Sequence, residues 1–139
     1  MAIFLLLLIV GFIEAVLLLY TYNVVADSAK EGVRYAIVHG ADNTSSVGPN
    51  CSSGCPAIDG DPGTGVVKTY AQYSLHYISG NAMTVTVDYN PNGANPGNKP
   101  CNAALCLVRV TVSYPYKPFF GLGWPTVTVN AAAQGRIAY

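Results

Sequence analysis

Residues 1–25 read MAIFLLLLIVGFIEAVLLLYTYNVV, and the interpretation of this run decides the fold. As a helix it is long enough to cross the hydrocarbon core of a bilayer, which takes about 20 apolar residues. Only one charged side chain, Glu14, falls within the first 26 residues. A lone carboxylate in apolar surroundings is costly unless it finds a partner. The run is therefore either a simple anchor with a defect or a helix built to pack against other helices. A secretory signal fits poorly, because it needs a basic flank, a shorter core and a small-residue cleavage site. No Lys or Arg precedes Lys30, so the positive-inside rule gives no orientation. Removal of a charged leader ahead of Met1 is one explanation for the missing flank.

Downstream, NVVADSAKEGVRYAIVHG continues at helical spacing. Asp27, Lys30, Glu31 and Arg34 share one face, and Val25, Ala29, Val33 and Ala36 line the opposite one. Gly40 is the expected C-terminal stop. The pattern predicts one helix of about 38 residues, about 57 Å long at 1.5 Å per residue. Its first half is apolar all round and its second half amphipathic. Such a helix starts in a membrane or filament core and ends docked on a globular domain. Residues 1–40 form this segment, and residues 41–139 are expected to form a small head.

The head has its own punctuation. Residues 41–65 are turn chemistry, rich in Asn, Asp, Ser, Gly and Pro. A second, shorter helix is expected at about 62–79, with Asp61 as N-cap and Pro62 in the first turn. The period then switches to two. Met83, Val85, Val87 and Tyr89 alternate with polar residues, and residues 107–116 and 126–139 repeat the pattern, the last with a break expected at Gly135. Short consecutive strands pair as an antiparallel meander, one face on the helices. The expected class is α+β.

Four cysteines lie beyond the apolar run: Cys51, Cys55, Cys101 and Cys106. An even count in loop-rich sequence reads as two disulfides in an oxidising compartment. Three pairings are open, and the close spacings favour Cys51–Cys55 and Cys101–Cys106. The spacings are not those of two zinc knuckles.

Composition removes several functions. Formal net charge is zero, 10% of residues are charged, and the seven Lys and Arg are scattered, which argues against nucleic acid. No nucleophile elbow, phosphate loop, zinc-protease or haem-attachment motif occurs. No enzymatic activity and no cofactor are expected. Asp59 and Asp61 are too few hard ligands for calcium, and His39 reads as a favourable charge at a helix C-terminus. Asn43 and Asn50 begin glycosylation sequons, a weak signal by itself. Tyr20 and Tyr22 stand at the end of the apolar run, where they would form an interfacial belt or plain packing.

The segments IEAVLLLYTYNVVADSAKEGVRYAIVHG and VRVTVSYPYKPFF, with a last T-V-T-V strand, resemble the TadE-like pilins and pseudopilins of the tight-adherence branch of the type IV pilus superfamily. The likeness covers roughly residues 8–40 and 107–134. Glu14 matches the family's acidic residue late in the apolar helix. Ala29, Glu31, Gly32, Arg34, Tyr35 and Ala36 match its A-x-E-G-x-R-Y-A segment, and residues 114–118 match its Y-P-Y-K-P. The resemblance implies export through the inner membrane, leader removal by a prepilin-type peptidase, and handling by pilus assembly machinery. It also implies polymerisation through N-terminal helices into an extracellular filament. Such pilins typically carry glutamate at the fifth mature position, where this chain has Leu5. Either Met1 is not the processed end, or Glu14 does that work from deeper in the helix.

Residues expected at subunit contacts are Met1, Phe4, Leu5, Leu8, Phe12, Glu14 and Leu18. Glu14 has two readings. In one, a neighbour staggered by about 20 Å brings its Met1 ammonium to the carboxylate. In the other, a protonated Glu14 bonds a backbone carbonyl. The expected function is a self-assembling filament subunit. The alternatives are a membrane-anchored minor pseudopilin and a single-pass envelope protein with a ligand-binding β domain.

Overall fold

A computed structural model of the chain describes residues 1–44, 46–49, 83–118 and 125–138. One helix, α1, runs Ala2–Val38. Leu is its commonest residue, and no proline, which would break a helix, occurs before Pro49. Three strands follow, β1 (Thr84–Asp88), β2 (Leu107–Tyr116) and β3 (Val127–Arg136). They pair antiparallel in the order β1-β2-β3, giving the α+β layout of a long helix laid on one face of a meander.

The register explains which residues are buried. Val85 faces Val112 and then Ala131; Val87 faces Val110 and then Ala133. These residues, with Val108 and Val129, point inward and join Val25, Ala29, Val33 and Ala36 of α1 in one core. Thr84, Thr86, Thr128 and Asn130 point the other way and are exposed. The helix packs on β2 and β3. The opposite helix face carries the expected charges, with Lys30 bonded to Asp27 at 3.1 Å and Arg34 to Glu31 at 2.9 Å. Both pairs are exposed and contribute little stability.

Two boundaries differ from expectation. The helix closes at Val38, with His39 as C-cap, rather than at Gly40. Its last carbonyls are met by tertiary partners instead of a left-handed glycine. The Ala138 amide donates to Ile37 O at 3.0 Å and the Val47 amide to His39 O at 2.8 Å. The Asn43 side chain donates to Val38 O at 2.7 Å. His39 Nδ1 donates to Tyr35 O at 2.9 Å, and the two rings stack.

The second difference is at Gly135. The strand does not break there; β3 runs through it in register with Val108. A Cβ at this position would lie 2.4 Å from Ile37 Cδ1 and 2.9 Å from Val33 Cγ1. β3 and α1 approach so closely here that a side chain would clash, so its absence is a packing requirement.

Between β1 and β2, two short 3-10 turns, Pro91–Gly93 and Pro96–Asn98, flank buried Asn95. Its amide bonds Tyr89 O and Leu107 O, and its Oδ1 accepts from the Leu107 amide. The Cys101–Cys106 disulfide is present and closes a short loop, a constraint of about 2 kcal/mol on the unfolded chain. Inside that loop, buried Asn102 donates to Val47 O at 3.1 Å. The second helix expected at 62–79, Cys51 and Cys55, and the Asp59–Asp61 turn lie outside the described residues.

Candidate assembly surface at the helix and sheet junction

The sheet covers only part of α1. From residue 1 to residue 9 every side chain is exposed, including Phe4 at 72%. Met1, Leu5, Leu8 and Phe12 are exposed as well. Four of the expected contact residues thus stand on the bare stretch, together with Phe12 at its head-side end. Leu18 sits further along, at the margin of the sheet.

Glu14 is different. It is 6% exposed, and Tyr116, the last residue of β2, donates its hydroxyl to Glu14 Oε2 at 2.8 Å. The carboxylate therefore has a partner in its own chain, 102 positions away in sequence. Burial, then the hydrogen bond and the negative charge of Glu14, push the Tyr116 hydroxyl up to about 12 from 10.0. Each cause favours the protonated phenol, which is the form that can donate. Both earlier readings of Glu14 placed its partner elsewhere, on a neighbour's amine or on a helix carbonyl. The tyrosine was missed, although a signal existed. Val108, Val110 and Val112 point inward, and Tyr114 and Tyr116 continue the same parity.

Two more polar side chains continue the seam. Glu14, Thr21 and Ser28 are buried and seven residues apart, so they lie along one stripe of the helix. Thr21 donates to Leu17 O at 2.9 Å and Ser28 to Val24 O at 2.8 Å. Their hydroxyls are satisfied inside the helix, which makes burial under the sheet inexpensive. With Ala29, Gly32 and Ala36, these small residues let the strands approach closely.

A cleft of about 380 Å³ opens beside the Glu14–Tyr116 pair. Gly11, Ala15 and Leu18 line it from the helix; Pro118, Pro125 and Val127 line it from the ends of β2 and β3. Among the described residues its walls are nearly all apolar, and the polar side chains that line it are Glu14 and Tyr116. Among the described residues, no three His, Cys, Asp or Glu side chains are grouped to hold a metal. The arrangement presents apolar surface for contact. Comparison with protein-family models, with curated proteins and with solved structures found no match.

Proposed function

We propose that this protein is a structural subunit of an extracellular, pilus-like filament, held in the inner membrane before assembly and polymerising through α1. One observation carries the proposal. The apolar side chains of residues 1–9 are exposed on every face of α1, while its second half is already covered by the chain's own sheet.

A helix apolar all round must be buried all round. α1 is long and apolar enough to cross a membrane, with a mean hydropathy of 3.0 over its most apolar 18-residue window. Once it leaves lipid, only other copies supply equivalent surroundings. Each large side chain such as Phe4, Leu5 or Phe12 gains about 1.5–3 kcal/mol on moving from water to a fully apolar setting. Many copies related by one repeated screw operation bury this surface without closing a ring. The resemblance to TadE-like pilins supports the same reading, with a prepilin-type peptidase and the assembly machinery as partners.

The sheet's grip on Glu14 sharpens the subunit's geometry. The head is fixed to α1 from Glu14 onward, so the contacts between copies in the core fall on the bare stretch and on the outer helix face. The test is to shear extracellular fibres from the producing cells, image them by negative stain and identify their subunit by mass spectrometry. Fibres built of this chain are the expected result. A chain found in membrane fractions and absent from every fibre refutes the reading.

A further inference from the structure

The loop closed by Cys101 and Cys106 grips the chain in two places. Just past α1, the Ala41 amide donates to the Asn102 backbone oxygen at 2.8 Å. The Asn102 side chain donates to Val47 O at 3.1 Å. At the end of β3, the Leu105 amide donates to Ile137 O at 2.8 Å and the Ile137 amide to Cys106 O at 2.9 Å. Arg136 Nη1 donates to Leu105 O at 3.0 Å. One short loop therefore joins the exit of α1 to the exit of β3.

Two features of this loop are locally unfavourable. Leu105 adopts φ +70°, a left-handed conformation that strains a residue carrying a Cβ. The other non-glycine residues at positive φ among the described residues are Asn92 and Asn98, a residue type that tolerates it. Packing does not compensate, because the Leu105 side chain is 72% exposed. Asn102 is fully buried, yet its Oδ1 has no partner among the described residues. A buried carbonyl without a donor is unfavourable. Both residues lie between the two bridged cysteines, so the bridge and the hydrogen bonds above hold them where they are.

We propose that the Cys101–Cys106 bridge is a redox-sensitive latch, which holds a strained loop against the end of α1 when closed and releases that junction when opened. Opening is thiol–disulfide exchange with a dithiol. Cys101 is partly exposed and Cys106 is 4% exposed, so the attacking thiolate reaches the Cys101 sulfur. A mixed disulfide forms there, and Cys106 leaves as a thiolate and takes a proton. The second thiol of the reductant then displaces Cys101, and the reductant keeps the new disulfide. Two electrons and two protons have passed to the protein. Closure is the reverse, with a disulfide of the exchange partner as oxidant. In the open form Leu105 returns to an ordinary backbone conformation and Asn102 turns to water. Ala41, Val47 and Ile137 then lose the partners that the loop supplied. The latch does not depend on the filament reading.

Amide exchange on the full chain in detergent tests this, with Cys51→Ser and Cys55→Ser so that dithiothreitol acts on one pair. The amides of Ala41, Leu105 and Ile137 report the junction. Those of Val110 and Val112, buried in the middle of β2, report the core. Reduction should speed the three junction amides about tenfold or more and the two core amides less than about twofold. Reoxidation should restore the slow rates. Leu105→Asn separates a strained latch from a plain crosslink, because Asn accepts positive φ. Its junction amides should speed up by no more than about threefold on reduction. Should the double-serine background not fold, wild type is compared with Cys101→Ser, Cys106→Ser, leaving Cys51 and Cys55 in place. Junction exchange that ignores the bridge overturns the latch. Equal acceleration of junction and core overturns it too, since the bridge is then a general staple. A Leu105→Asn junction that opens as far as its parent does the same.

Discussion

The two halves of α1 belong to one unbroken helix, yet they solve burial in opposite ways. Residues 1–9 carry large side chains on all sides and bury none of them in their own chain. From Glu14 to Ala36 the buried residues are Glu14, Thr21, Val25, Ser28, Ala29, Gly32, Val33 and Ala36, with no Leu, Ile or Phe among them. Size explains the contrast. Small side chains allow a sheet to approach a helix closely, and one tight fit is enough. Large ones projecting all round need several partners at once, which a single chain of this size does not supply. The first half leaves its apolar surface bare, and the second gives its surface to the chain's own sheet.

The sharpest way to break the second half is from the strand side. Ile137 is 1% exposed in the shared core. Ile137→Ala should cost about 2–5 kcal/mol, read by denaturant titration of the detergent-solubilised protein. A loss below 1 kcal/mol would mean that the docked half is not a real core.

Next in size is the Glu14–Tyr116 bond. Tyr116→Phe removes its donor and should cost about 1–3 kcal/mol. Glu14→Leu added to Tyr116→Phe should recover part of that loss, because a matched apolar pair leaves no buried group wanting. Additive losses in this double-mutant cycle would argue that the two residues do not interact.

The same bond gives a pH window. The Tyr116 hydroxyl is raised in the folded protein from 10.0 to about 12. Its contribution is therefore complete below pH 10 and lost as pH rises through 12. Unfolding free energy, read by denaturant titration at each pH, should fall more over that range in the wild type than in Tyr116→Phe. An identical profile in both proteins would assign the change to other groups.

The smallest effect on folding belongs to the first half. Leu8→Ser alters an exposed side chain and should change head stability by less than about 0.5 kcal/mol. Its fibre yield should nevertheless collapse. A variant that assembles normally would erase the division between the two halves.

Much of this fold was legible in the sequence because its signals are local. The i, i+3, i+4 pattern of Asp27, Lys30, Glu31 and Arg34 fixed which face of the helix is wet. The alternation of valines gave the strands, and the spacing of Cys101 and Cys106 favoured their disulfide. The axial level at which the sheet meets the helix was not legible. It depends on the β2–β3 register and on the close approach at Gly135, where a residue read as a strand breaker is instead a space for Ile37 and Val33. Glu14 stood out at once, but its partner depends on that same level.

The hydroxyls of Thr21 and Ser28 give the seam a further property. Each is bonded to a carbonyl one turn back in its own helix. Neither needs the sheet, water or lipid to be satisfied. Of the three polar residues on the stripe, Glu14 is the one that takes a hydrogen bond from the sheet. A helix of this kind can exchange one covering for another without leaving its hydroxyls stranded on the way. Under the proposed passage from bilayer to polymer, this would keep the transfer from being blocked by the helix's own polar groups.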